Sequence, residues 1–345
     1  MRIFVTGVAG QLGSDVVEEL VRRGHEPIAS DVKAPAYVPP TAAPLGAEIP
    51  DPVFIPLDIT DARAVAETIG RLKPDGIIHC AAWTNVDGAE DPVNQELVQR
   101  INAGGTRNIA EAAKAVDAKM IYISTDYVFD GQGTRPWQPD DTSYAPLNVY
   151  GQSKLSGELA VKQLLQKFYI VRIAWVFGLN GKNFIRTMIN VGRTHDVVRV
   201  VDDQIGTPTY TKDLAPLLVD MIETEKYGYY HATNSEDGQY ISWADLAEEA
   251  YRDADMDVKV NRVTTAEYGA SVAARPFNSR LDKSKLEKMG FKPLPHWKEA
   301  VRRYIREAGL VESRQADNPP GALHPNVDER KAHQSAKQPL QDRKE

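Results

Sequence analysis

The chain predicts an α/β fold, a doubly wound parallel sheet with a smaller C-terminal lobe, and three observations carry that expectation. Short apolar runs alternate with amphipathic helical segments through the first half. The runs are apolar at nearly every position, as in strands covered on both faces. A glycine turn, Thr6-Gly7-Val8-Ala9-Gly10-Gln11-Leu12-Gly13, joins the first run to the first helix.

Ile3-Phe4-Val5 is the first strand. From about Gln11 to Arg23, Leu12, Val16, Val17, Leu20 and Val21 recur at helical spacing, and Gly24 ends that helix. Pro27 to Ser30 forms a second strand ending at Asp31, and Val53-Phe54-Ile55 a third. A helix opened by Thr60 or Asp61 runs to Leu72, and Gly76 to Cys80 is the fourth strand. A helix spans about 93–115, with a break expected near Gly104-Gly105. Met120 to Ile123 and Tyr169 to Ile173 are the fifth and sixth strands, with a helix through Tyr150 and Lys154 between them. Strand, helix, strand in this order requires right-handed parallel crossovers, the Rossmann-like arrangement.

After about 177 the pattern turns irregular, with helices near 183–193, 211–224 and 242–253. The expected organisation is residues 1–177 mainly as a nucleotide-binding domain and 178–312 mainly as a substrate-binding lobe whose chain can cross back to the sheet. Residues 313–345 are polar and charged and read as a disordered tail. The prolines between 33 and 52 mark an irregular loop, either a cover for the adenosine end of a ligand or a plain surface excursion.

Composition narrows the function. Hydrophobic residues make up 42% of the chain, enough for a core, and the net charge of −7 leaves no basic stripe for nucleic acid. No apolar run approaches the roughly 20 residues of a membrane-spanning helix, and no signal peptide is expected before Met1-Arg2-Ile3-Phe4-Val5. The single cysteine, Cys80, reads as a small buried hydrophobe, and the seven histidines are too scattered for a metal site. A soluble cytoplasmic protein without a metal is the expectation.

The glycine loop is suited to a dinucleotide. Gly7 permits the tight turn, Gly10 and Gly13 admit pyrophosphate and close helix packing, and the helix start offers free amides with Gln11 and Leu12. Asp31 stands 18 residues after Gly13, where a carboxylate takes ribose hydroxyls. It repels a 2′-phosphate and favours NADH, although Lys33 could hold that phosphate, so NADPH stays open. Asp58-Ile59, after the third strand, either flanks adenine or starts a helix.

Tyr150 and Lys154 share one helical face. An adjacent ammonium would lower the phenol pKa, and the phenol could then give its proton to a ketone oxygen as hydride arrives at carbon. Thr125 closes the fifth strand, where ligands of parallel sheets gather; it could hydrogen-bond the reacting oxygen or cap a turn.

These motifs resemble the extended short-chain dehydrogenase/reductases, and within them the dTDP-4-dehydrorhamnose reductase family. The matching pieces are TGVAGQLG at Thr6–Gly13, HCAAWTNVDGAE at His79–Glu90, IN at Ile101–Asn102 and STDYVFDG at Ser124–Gly131. They continue with YGQSKLSGE at Tyr150–Glu158, RIAWVFG at Arg172–Gly178, GKNF at Gly181–Phe184, DQIGTPT at Asp203–Thr209 and RPFNSRLD at Arg275–Asp282. The resemblance implies Thr125, Tyr150 and Lys154 as the catalytic trio, with Ala81 and Ala82 beside the cofactor. It implies Trp175, Gln204 and Thr207 at the sugar or pyrophosphate, Arg275 near the diphosphate, and Asn85, Asp126 and Asn183 on the substrate side.

Dehydratases of this superfamily carry Thr-Asp-Glu where this chain has Thr125-Asp126-Tyr127, so the base for eliminating water is missing. What remains implied is NAD(P)H-dependent reduction of the C4 ketone of a dTDP-4-dehydro-6-deoxyhexose, foremost dTDP-4-dehydro-L-rhamnose. The partner is a small sugar nucleotide, and a homodimer is compatible. The alternatives are a sugar-nucleotide 4-epimerase and a non-catalytic nucleotide-binding regulatory subunit of the same fold.

Overall fold

A computed structural model describes residues 1–34, 53–269 and 271–311. Most of the proline-rich loop and the tail therefore lie outside the described residues. Six strands, β1 (Arg2–Thr6), β2 (Glu26–Asp31), β3 (Val53–Pro56), β4 (Gly76–His79), β5 (Lys119–Thr125) and β6 (Phe168–Ile173), lie where the apolar runs predict. With Gly228–His231 they form a seven-stranded sheet ordered Gly228–His231, β6, β5, β4, β1, β2, β3. Every neighbouring pair is parallel.

The strand order reverses at the β1–β4 boundary. Thr6 pairs with Ser30 on one side and His79 on the other, so three strands end level at that switch point. A crevice opens there because helices leave the two strands toward opposite faces. The apolar character of β1 follows from its double burial. Ile3 and Val5 join the core beneath α1 (Gln11–Arg22), while Phe4 joins the core on the opposite face with Ile28 and Ile77.

α2 (Ala62–Leu72) starts at Asp61, whose carboxylate accepts from the Ala64 amide. The expected helix over 93–115 is interrupted. After the short α3 (Val86–Ala89), α4 (Pro92–Gln99) passes into a π-turn at Arg100–Gly105 before α5 (Thr106–Ala115). Gly105 permits this course, since a Cβ there would lie 2.6 Å from Ile59 Cδ1. The turn buries Asn102, whose side chain holds the Trp83 amide (2.8 Å), the Trp83 carbonyl (3.1 Å) and the Ser153 hydroxyl (2.9 Å). A π-turn often marks a functional region, and here it ties the loop after β4 to α6 (Val149–Leu164).

The second half contributes α7 (Phe184–Gly192), α8 (Thr211–Ile222) and α9 (Trp243–Asp253). Helix α8 packs on α1, so part of this half covers the sheet. The paired strands Val197–Val201 and Lys259–Val263 pack through Val198, Val200 and Val260 against Ala244, Ala247 and Tyr251, and a separate core gathers Ile185, Ile189, Leu246 and Trp297. Gly228–His231 and Lys259–Val263 do not stand out in the sequence, because their polar positions lack the continuous apolar signal of β1 and β4. No helix among the described residues is long and apolar enough to cross a membrane.

Candidate active site

The C-terminal ends of β1, β2, β4, β5 and β6 open into a cavity of about 830 Å³. Its lining includes Gly7, Gly10, Gln11, Leu12, Gly13, Asp31, Asp58, Ile59, Ala81 and Ala82 at one end. Thr125, Asp126, Tyr150, Lys154 and Trp175 line the same cavity. The catalytic and dinucleotide-binding candidates therefore share one space.

Gly7 has φ +73, and a Cβ there would meet Ala81 N at 2.6 Å; a Cβ at Gly13 would meet Gly7 O at 2.3 Å. The loop thus fits against β4 and onto its own helix only as glycine. Asp31 braces it by accepting from the Ala9 amide at 3.0 Å, and its other oxygen accepts from Val32 at 2.8 Å. Asp58 is not the helix cap, a role held by Asp61; it accepts from the amide and hydroxyl of Thr60. The Ser30 and Ser124 hydroxyls are buried, line the cavity and have no hydrogen-bond partner among the described residues. A glycine cradle and orphaned hydroxyls suit a bound dinucleotide.

At the other end, α6 begins with Asn148 as its N-cap, accepting from Gly151 N at 2.8 Å. Gly151 and Gly157 let the helix press against β5 and the turn after it, since a Cβ at either would lie 2.3 Å from Tyr127 O or from the Tyr122 hydroxyl. Lys154 is buried; its ammonium donates to Ile123 O at 2.7 Å and lies 4.2 Å from the Tyr122 ring centroid. Burial lowers its pKa to about 7, with Glu158 opposing.

The Tyr150 phenol is pushed up rather than down. Burial is the main cause, the Asp126 carboxylate adds to it, and a hydrogen bond with Thr125 opposes it. The expected lowering fails because desolvation of a phenolate outweighs the help available, and the ammonium is engaged at Ile123 O and the Tyr122 ring. Tyr150 consequently carries its proton at neutral pH, the form an acid needs. Asp126 is lifted by burial to about 6, opposed by the Ser279 and Thr125 hydroxyls.

The substrate-side candidates divide. Trp175 lines the cavity with a left-handed backbone, φ 50, and stacks on Trp243 with ring centroids 3.9 Å apart. Asn85, Asn183, Gln204, Thr207 and Arg275 are outside the lining. Asn85 caps α3 through Gly88 N. Asn183 caps α7 and donates to Gly178 O and the Tyr304 hydroxyl, so its side chain is occupied inside the protein. Gln204 donates to Thr265 Oγ1, whereas the buried Thr207 hydroxyl has no hydrogen-bond partner among the described residues. Arg275 forms a forked pair with Asp87, at 2.9 and 2.7 Å.

Cys80 is partly buried beside the cavity, and burial raises its thiol pKa to about 12, which leaves it unreactive. Among the described residues no group of three or more His, Cys, Asp and Glu is placed to hold a metal ion.

Several functional neighbours escape sequence reasoning. Trp243 backs Trp175, and Ser279 donates to Asp126 Oδ2 at 2.5 Å across 153 positions of sequence. Glu158 forms a fully buried forked ion pair with Arg172, at 2.8 and 2.7 Å, which fastens α6 to β6. Ser279, Glu158 and Arg172 all fall within recognisable strings, yet no spacing signals what each touches.

The family described as RmlD substrate binding domain matches residues 1–309. The dTDP-4-dehydrorhamnose reductase of Streptomyces griseus is 39% identical over 306 residues, 87% of this chain and 91% of its own length. The dTDP-4-keto-6-deoxy-D-glucose reductase of Streptomyces niveus is 34% identical, covering 87% and 95%. The crystal structure of the Bacillus anthracis dTDP-4-dehydrorhamnose reductase in complex with NADP is 38% identical, with a TM-score of 0.77, covering 89% of this chain and 99% of that one. A match over nearly the whole described length, together with relatives this similar across most of both chains, means that this chain belongs to the RmlD substrate binding domain family.

Proposed function

We propose that the protein reduces the C4 ketone of a dTDP-4-dehydro-6-deoxyhexose with NAD(P)H, and that dTDP-4-dehydro-L-rhamnose, giving dTDP-L-rhamnose, is its substrate. The observation that carries this reading is the single cavity shared by the glycine cradle and by Thr125, Tyr150 and Lys154. Gly7, Gly10, Gly13 and Asp31 would hold the dinucleotide, and Ser30 and Ser124 offer it unpaired hydroxyls. When bound, the reduced nicotinamide supplies the hydride.

The rest falls to this chain's side chains. Tyr150, protonated because burial disfavours its phenolate, gives its proton to the ketone oxygen as that oxygen gains charge. Thr125 orients the phenol. Lys154 places a buried cation next to the site, where it favours the negative charge left on the phenol. Trp175, supported by Trp243, offers a flat apolar face to the sugar.

Asp31 favours NADH, with Lys33 as the counterweight. Arg275, paired with Asp87, is assigned to the diphosphate through its planar fork. A cytoplasmic location belongs to the same reading. The Streptomyces niveus relative supports a second substrate, dTDP-4-keto-6-deoxy-D-glucose.

Product analysis with purified dTDP-4-dehydrorhamnose and each reduced cofactor in turn tests the proposal. Tyr150→Phe should lower kcat roughly 10²- to 10⁴-fold while cofactor affinity stays near that of the wild type. Near wild-type turnover in that variant would remove Tyr150 from its role.

A further inference from the structure

We propose that Asp87 is a positioning residue for the nucleoside diphosphate of the substrate: it holds the Arg275 guanidinium by its end, so that the side edge, Nε–H with the second Nη2–H, is the fork that receives the anion. The inference rests on the reductase reading, which brings a sugar nucleotide to this site, and it assigns a role to a residue that reading leaves without one.

A census of donors leads to it. A guanidinium has five N–H donors in one plane and no acceptor. Asp87 takes the end fork, Oδ1 from Nη1 at 2.9 Å and Oδ2 from Nη2 at 2.7 Å. The other Nη1 proton goes to the Ala273 carbonyl at 3.0 Å. The Nε proton and the second Nη2 proton have no hydrogen-bond partner among the described residues. They lie side by side on one edge of the group, the arrangement that a pair of phosphate oxygens accepts. Arg275 Nε does not belong to the buried atoms that lack a partner, so solvent reaches it. An anion can therefore bind without breaking the pair. The Asp87 side chain is 43% exposed, and water screens its repulsion of a second anion.

The pair stands just outside the cavity wall, where the part of a sugar nucleotide beyond the reacting sugar would extend. Asp87 follows Val86, which lines the cavity, and both lie in α3. The segment that carries Arg275 is tied down on three sides. Ala273 N donates to Asp87 Oδ1 at 3.0 Å, and Asn148, the N-cap of α6, donates to Ala274 O at 2.8 Å. Pro276 packs so closely on Gly131 that a Cβ there would meet it at 2.4 Å.

The same short helix also holds the start of α6, because Glu90 accepts from Val149 N at 2.8 Å. Two carboxylates of one segment thus fix the arginine and the first turn of the helix that bears Tyr150. Tyr127 lies between them: it lines the cavity, and its ring meets the Tyr150 ring edge-on with centroids 5.6 Å apart. The proton donor and the anion fork are thereby kept at a set separation, which a ketone carried on its own diphosphate requires.

The test is a double-mutant cycle read by calorimetric titration with dTDP and by KM and kcat for the 4-keto sugar nucleotide. Arg275→Met should raise KM and the dTDP Kd roughly hundredfold, the cost of a charge-assisted pair of hydrogen bonds. Asp87→Ala should raise both roughly tenfold, the cost of ordering a long side chain on binding, with kcat within about twofold. Asp87→Asn keeps Oδ1 for Ala273 N and Nη1 and should recover most of the loss. Arg275→Met/Asp87→Ala should bind no more weakly than Arg275→Met alone, because Asp87 acts only through the guanidinium. Asp87→Ala binding dTDP as well as wild type, or better, would overturn the proposal, as would a double variant in which the two losses add. A wild type that neither binds dTDP nor reduces a 4-keto sugar sinks the reductase reading and this inference with it. One that binds dTDP and shows the coupling but reduces nothing sinks the reading alone.

Discussion

Replacing Glu158 by Gln is the sharpest test of how the catalytic helix is held. Glu158 lies one turn beyond Lys154 on α6, and its carboxylate takes both Arg172 contacts with neither side chain exposed. Arg172 also donates to Pro139 O at 3.1 Å and to the Tyr144 hydroxyl at 3.0 Å, and its guanidinium carbon lies 4.9 Å from the Phe129 ring centroid. Those contacts help to keep the cation in place once its counter-charge is gone. Removing one partner of a buried pair costs about 3–5 kcal/mol. A glutamine can still accept one of the two hydrogen bonds, so the lower end applies, roughly 3 kcal/mol. In a unit of this size that corresponds to a fall of roughly 5 °C in Tm. Urea unfolding of Glu158→Gln, Arg172→Met and the double Glu158→Met/Arg172→Met variant measures it. The double variant should recover most of the loss, because a well-packed apolar pair replaces a buried ion pair at little cost. Activity provides a second readout: Glu158 opposes the lowering of Lys154, so in Glu158→Gln the ammonium should titrate at lower pH and the basic limb of kcat should move down. A loss under about 1 kcal/mol, or a double variant no better than the singles, would refute the reasoning.

Two further outcomes are expected. Lys154→Met should abolish reduction yet raise stability by roughly 1–3 kcal/mol near pH 7, since an apolar chain replaces a buried cation. The folded Lys154 pKa of about 7 lies below the ordinary 10.5, so wild type carries the full penalty below pH 7 and loses it as the pH rises toward 10.5. The gain should fade over that window in pH-dependent unfolding. Trp243→Ala should raise KM for the sugar nucleotide by roughly tenfold with cofactor affinity unchanged, because Trp175 loses the ring stacked on it; an unchanged KM would show that Trp175 is held by its backbone alone.

The parts of this protein that were legible in the sequence are those in which neighbours in sequence are neighbours in space. β1 and β4 announce themselves because both faces of each are buried, and Gly7 and Gly13 because a tight strand-to-helix turn concentrates its demands in eight residues. Tyr150 and Lys154 share a helical face and could be paired by spacing alone. The expected direction of the Tyr150 shift was another matter. Spacing supplies the neighbouring ammonium but says nothing of burial, and burial decides the sign. Asn183 and Asn85 look equally available in the sequence; only the fold reveals that each is spent capping a helix. Ser279, Arg172 and Trp243 meet their partners across long stretches of chain, through strand order and the packing of the second half on the first. No local pattern encodes such a meeting.

Asp126 shows how one residue type can survive a change of chemistry. Where the family resemblance places an acid and a base for removing water, this chain keeps the acid position and puts Tyr127 in the other. An isolated buried carboxyl next to a catalytic phenol would tend to hold a proton and compete as a second acid. Here both of its oxygens are engaged by hydroxyl donors, Thr125 on one side and Ser279 on the other. Those bonds favour the anion, and the anion raises the Tyr150 phenol. Burial above all keeps the phenol protonated, and the carboxylate that could have assisted elimination adds to that effect. Reduction by hydride and one proton needs that division of labour, and elimination would need the base that Tyr127 has replaced.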